Sequence, residues 1–310
     1  MLEKFPIMFF AVIMGLCGFV LATLELGVVM DSPIALVVSE ISRWVCLGLF
    51  VVFVICYGLK VISALESVRS EIHHPVKINF FSTFPISLLL LAKLFEEYMM
   101  MYDVLFVLGI VIQTFLTFYV IAFWIRNNME LKHSNPAWFI PIVGNIIVVA
   151  AGKKEFGFLW YYFDIAMFFY VVLFIIIFYR ILFHDQLAQK FIPTLFIMLA
   201  PPSMGFSTYV KLEGYDFFAQ FLFSVMLFFV FLFFFLYKSF LKLKFFLSWW
   251  AFTFPSAAVV MAVFKMCEIM PQSISWLYLG GFLYVCLCVI MCIVSVLTIR
   301  GIMDRSIFED

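Results

Sequence analysis

Of the chain's 310 residues, 66% are hydrophobic and 12% charged, with no formal net charge; soluble domains hold about 45–50% apolar and about 25% charged residues. With a mean hydropathy of +1.17, the chain cannot cover its own surface with polar groups, which excludes a water-soluble globule and makes lipid its solvent. In lipid only helices or a closed barrel satisfy the backbone, and apolar runs of about 20 residues without strand alternation are helices.

The first run, Phe5 to Leu24, follows Lys4 and ends at Glu25-Leu26-Gly27 with no small-x-small cleavage pattern. It therefore reads as a first span rather than a secretory signal. Charged and turn residues then place spans at roughly 5–24, 43–63, 78–95, 103–125, 138–152, 157–181, 191–210, 215–238, 246–264 and 274–299. Loops of about 4–18 residues make successive spans antiparallel, so residues 1–310 are expected to form a single transmembrane domain of five helical hairpins. Thirteen Lys and Arg fall on the side carrying both termini and six on the other. By the positive-inside rule both termini are expected in the cytoplasm, with the chain in the inner (plasma) membrane. The four histidines, His73, His74, His133 and His184, lie in loops of that side.

Prolines divide the spans. Pro85, Pro141, Pro201, Pro202 and Pro255 lie within spans three, five, seven and nine, and no even span holds one. Proline removes a backbone bond and bends a helix, which is tolerated where neighbours or a cavity take up the freed carbonyl. The odd spans are thus expected to form an inner ring around a pore. The straight even spans, rich in Phe, Ile, Leu and Val, form an outer ring facing lipid. The alternation is an internal repeat of about 60 residues.

Ionisable groups inside a membrane are functional suspects, and the middles of the odd spans hold none. They carry small or mildly polar residues: Gly15 and Gly18; Ser82, Thr83 and Ser87; Gly144 and Asn145; Ser203, Gly205, Ser207 and Thr208; Thr253 and Ser256. These either line a lumen or allow close helix packing. Without midplane acids, passive movement of a species needing no strong coordinating charge is favoured over a cation path or proton-coupled transport. Lys93, Lys153 with Lys154, Lys211 and Lys265 stand at the outer ends of spans three, five, seven and nine. They form either an anion-concentrating ring at an external mouth or a set of snorkelling side chains, with Glu96, Glu97, Glu155, Glu213 and Glu268 partly cancelling the field. Asp164, the acid well inside an even span, is expected to pair with Lys153.

The seven cysteines lie in or beside apolar runs without CxxC spacing or a nearby His, the pattern of buried thiols rather than a metal or redox site. No GxSxG, HExxH, GxxxxGK[ST] or strand-linked GxGxxG is present. No enzymatic activity, cofactor, metal or nucleic-acid partner is expected.

Trp249-Trp250-Ala251-Phe252-Thr253-Phe254-Pro255 resembles the WWA[FY][TS]FP stretch of the TehA-type tellurite-resistance/C4-dicarboxylate transporter family, which includes the slow-type anion channels of plant guard cells. His74-Pro75-Val76-Lys77, followed by Phe84-Pro85-Ile86, is similar to that family's HPV[RK] loop and kinked helix, and Asn135-Pro136 ahead of Pro141 and Leu199-Ala200-Pro201 fit matching positions. The resemblance implies five hairpins with pseudo-fivefold symmetry, a pore lined by odd helices, a homotrimer, and a pore phenylalanine that here is Phe254. Gly15, Pro85, Ser87, Pro141, Gly144, Asn145, Pro201, Gly205, Thr253, Pro255 and Ser256 are then the candidate lumen residues. Small inorganic anions are the expected cargo, with C4-dicarboxylates or sulfite- and tellurite-related oxyanions as the alternative. Where the family's first helix carries a proline in an IPLG-like segment, this chain reads Val12-Ile13-Met14-Gly15, so span one is expected to be straighter.

Overall fold

The computed structural model describes residues 2–308. Among the described residues nine helices are long and apolar enough to cross a bilayer, and a tenth, shorter apolar helix completes the hairpins. Spans one and two are Ile7–Val29 and Pro33–Ser63, three and four Lys77–Leu94 and Met99–Arg126, and five and six Pro136–Ala151 and Leu159–Phe183. Spans seven and eight are Gln189–Leu212 and Phe217–Phe235, and nine and ten Leu247–Ile269 and Ile274–Met303. Span five has four residues of 3-10 helix and twelve of α-helix, about 26 Å in all at their usual rises.

Span two begins at Pro33, not near Arg43 as the charge pattern predicts. Ser32 caps it by accepting the N–H of Ala35, and Pro33 takes the first helical position, where its missing N–H costs nothing. Arg43 is tolerated inside the helix because it is neutralised and covered. It pairs with Glu40, donates to the Leu94 carbonyl, and lies over the rings of Phe95 and Tyr98 at 5.5 and 5.1 Å.

The prolines do not kink the middle of an α-helix. Spans three, five, seven and nine each begin as 3-10 helix, over Lys77–Ser82, Pro136–Phe139, Gln189–Leu199 and Leu247–Phe252, and then become α-helix at Thr83, Ile140, Ala200 and Thr253. Pro85, Pro141, Pro201 with Pro202, and Pro255 lie in the first turn of the α part, where a missing N–H leaves no intrahelical bond broken. Hydroxyls hold the junctions: Thr83 Oγ1 donates to the Phe80 carbonyl and Thr253 Oγ1 to that of Trp250, at 2.6 and 2.7 Å. Span one, without an internal proline, is α-helical for 20 residues from Phe10, the longest α run in any odd span.

Span one packs on three, three on five, five on seven, seven on nine and nine back on one, while each even span packs on its own hairpin partner. Four odd spans are 72–78% buried and the even spans 17–39%. A closed inner layer of odd spans thus stands inside an outer layer whose apolar faces meet lipid. At the terminus-bearing face, Lys60 of span two, 1% exposed, donates to the Phe5 carbonyl and to Glu71, whose other oxygen accepts from Tyr57. This network ties the N-terminal segment and the short helix Leu65–Ile72 to span two.

Candidate functional site

The inner ring holds a cavity of about 30 Å³ on its axis, lined from all five odd spans. Met8, Ala11 and Met14 come from span one, Phe80 and Thr83 from three, Ile140 and Val143 from five, and Ile197 and Ala200 from seven. Span nine adds Leu247, Ser248, Trp250, Ala251, Phe254 and Pro255. The lining steps by three residues on every span. Residues i and i+3 share a face in 3-10 and α-helix alike: the step lies in 3-10 helix or crosses its junction on spans three, seven and nine, and lies in α-helix on span five and along most of span one. No lining residue is ionisable, and the hydroxyls of Thr83 and Ser248 are committed to the carbonyls of Phe80 and Lys190. The cavity has room for about two waters and none for an anion carrying its hydration shell. Its walls are almost wholly apolar.

Phe254 is 1% exposed and forms part of the wall. Glycines on span one make the space for it. A Cβ at Gly18 would stand 2.9 Å from the Phe254 ring, and one at Gly15 would stand 2.1 Å from Thr253 Oγ1. Spans one and nine can therefore approach at this level only because residues 15 and 18 lack side chains.

Among the other sequence-derived candidates, Thr83 and Pro255 reach the axial cavity and the rest take different positions. Ser87 Oγ donates to the carbonyls of Thr83 and Phe10, bridging spans three and one. Gly144 and Asn145 are turned toward span four: Gln113 fills the space beside Gly144, and Asn145 bonds Thr117 and the Pro141 carbonyl, which also accepts from Gln113. Gly205 faces Met167 of span six and Leu222 of span eight. Ser256 lines an apolar crevice of about 400 Å³ among spans seven, eight, nine and ten. Pro85, Pro141 and Pro201 are buried at the junctions already described. Sequence reading passed over Met14, Ile140, Val143, Ile197 and Ala200, which are ordinary core residues by type; the three-residue step is the signal that finds them.

Most of the lysines at the opposite face from the termini are engaged, while Lys154 is exposed and makes no ion pair among the described residues. Lys93 pairs with Glu96 and Lys265 with Glu268. Lys211 donates to the carbonyls of Val149, Ala150 and Gly152, closing the C-terminal end of span five. Lys153 lies over the Tyr102 ring at 4.8 Å rather than beside Asp164, which is exposed on span six and makes no ion pair among the described residues.

A closed ring of five helices around an uncharged, narrowly constricted axis, with five helices shielding it from lipid, defines a polytopic membrane protein of the channel or transporter class. Residues 4–299 match the family described as SLAC1, voltage-dependent anion channel, and the chain belongs to it. The S-type anion channel SLAH3 of Arabidopsis thaliana is 24% identical to it, over 99% of this chain and 49% of the relative. Uncharacterized transporter MJ0762 of Methanocaldococcus jannaschii is 26% identical over 100% of this chain and 98% of its own length. The tellurite resistance protein TehA homolog of Haemophilus influenzae is 26% identical over 67% of this chain and 64% of its own. The chain spans about half the length of the plant channels it matches.

Proposed function

We propose that the chain is an anion channel of the inner (plasma) membrane, with both termini cytoplasmic, passing small monovalent anions such as chloride or nitrate along the axis of the odd-span ring. The observation that carries this reading is the single axial cavity to which all five odd spans contribute and in whose wall Phe254 stands. Phe254 is the gate: its ring, seated against Gly18, holds the axis closed, and its displacement opens the path. Lys93, Lys153, Lys211 and Lys265 stand around the external mouth, where their glutamate and carbonyl partners moderate the field. The assembly is a homotrimer in which apolar faces of even spans meet, as the family resemblance implies.

In planar bilayers under a chloride gradient, Phe254→Ala is expected to raise anion current severalfold over the parent protein. Unchanged current from a well-incorporated variant would remove Phe254 from this role. A carrier for C4-dicarboxylates or oxyanions is the second reading, favoured by the likeness to the tellurite resistance protein TehA homolog. Reversal potentials measured with chloride, then malate, then a pH gradient separate the two: a channel reports the chloride gradient alone.

A further inference from the structure

A second cavity, of about 150 Å³, opens at the face that bears the termini. It shares Met8, Phe80, Leu247 and Ser248 with the axial cavity, so these four form a neck between the two. Its polar rim is basic: His74 from the turn ahead of span three, Lys77 at the first residue of that span and Lys190 at the second residue of span seven. Lys77 and Lys190 make no ion pair among the described residues, unlike Lys93 and Lys265 on the opposite face.

The rim is also held in place. Asn79 Nδ2 donates to the carbonyls of Pro75 and Val76 at 3.3 and 3.2 Å, fixing the turn that carries His74 and Lys77. Ser248 Oγ donates to the Lys190 carbonyl at 2.6 Å, fastening the start of span seven to the start of span nine. His74 Nδ1 accepts the backbone N–H groups of Val76 and Lys77 at 3.1 and 3.3 Å. The imidazole proton therefore sits on Nε2, which has no partner among the described residues. Burial, then the charges of Lys77, Lys190 and His133, hold His74 below its ordinary pKa, so near neutral pH it serves as an uncharged N–H donor. Two ammoniums without an ion pair, that of Lys190 lying over the Phe191 ring at 5.5 Å, and one free N–H donor, with no carboxylate among the described residues that line the cavity, suit a small anion such as chloride or nitrate.

We infer that this vestibule is an anion-binding site, formed by His74, Lys77 and Lys190, that captures small monovalent anions and delivers them through the apolar neck to the axial cavity. The inference rests on the anion-channel reading and assigns that channel its cytoplasmic loading site. Lysines concentrate anions in a partly enclosed space far better than on an open surface, because low-dielectric walls focus their field.

The test has two readouts on purified full-length protein. In detergent, increasing nitrate at constant ionic strength with gluconate is expected to raise the thermal unfolding temperature of the parent protein by linkage. The rise should vanish in Lys77→Gln/Lys190→Gln and return in Lys77→Arg/Lys190→Arg. In bilayers, the same double change placed in the Phe254→Ala protein should cut, about 3- to 10-fold at low salt, the current carried by anions entering from the terminus-bearing face. Equal nitrate stabilisation of the parent and the double-Gln protein overturns the vestibule, as does no stabilisation in either. If Phe254→Ala conducts in such a case, the channel reading stands without it; stabilisation without conduction supports the site and counts against the gate.

Discussion

At the scale of single residues, the inner ring depends on what span one lacks. Thr253 Oγ1 is fixed by its bond to the Trp250 carbonyl and so cannot swing clear of a Cβ built 2.1 Å away at Gly15. Gly15→Ala is therefore expected to lower stability by about 1–3 kcal/mol, the usual cost of overpacking, read as a lower unfolding temperature in detergent. Adding Thr253→Ala removes the clashing oxygen and should restore part of the loss, a coupling of about 1 kcal/mol in a double-mutant cycle. Strictly additive changes would mean that spans one and nine separate more easily than this geometry allows. The same crossing seats Phe254, so helix contact and the position of the Phe254 ring are set by one pair of glycines.

At the scale of elements, hydrophobic run length was enough to read ten spans, and the prolines marked four of the buried ones, the fifth, span one, following by extension of the odd–even alternation. Composition carries that information because lipid-facing helices need apolar residues all round, whereas ring helices need small residues and tolerate proline. Azimuth was not legible. Gly144, Asn145, Gly205 and Ser256 are small or polar on buried or half-buried helices, yet Gly144 admits Gln113 and Asn145 satisfies Thr117 on the neighbouring span. Small side chains serve helix packing and lumen alike, so residue type cannot separate the two. Nor does charge reliably end a helix: Arg43 lies inside span two because Glu40 and the Leu94 carbonyl satisfy it there. The Lys60–Glu71 pair is the comparable case at the terminus-bearing end, with side chains 1% and 8% exposed. Glu71→Gln leaves the ammonium buried without its counter-charge. It is expected to cost about 3–5 kcal/mol, whereas Lys60→Met/Glu71→Met, which removes both charges, should recover most of that. A neutral Glu71→Gln in thermal unfolding would place Lys60 in contact with water.

At the scale of the whole molecule, the two faces differ in how their basic groups are held. On one, Lys93 and Lys265 are cancelled by Glu96 and Glu268, Lys211 is spent on backbone carbonyls, Lys153 lies over the Tyr102 ring, and Lys154 is exposed without an ion pair among the described residues. On the other, Lys77 and Lys190 make no ion pair among the described residues, Lys190 lying over the Phe191 ring, and both stand at the rim of a cavity that leads toward the axis. Anion supply to the ring is then unequal from the two sides even with equal concentrations, and an opened channel should rectify, passing more current when anions enter at the terminus-bearing face. The cause is electrostatic, so salt must weaken it. The Debye length falls from about 30 Å at 0.01 M to about 3 Å at 1 M, while the dimensions of the neck do not change. The rectification ratio of Phe254→Ala in symmetric chloride should therefore decline toward unity across that range. A ratio that holds constant with salt would trace the asymmetry to the shape of the path instead, and the unpaired lysines would have no part in setting it.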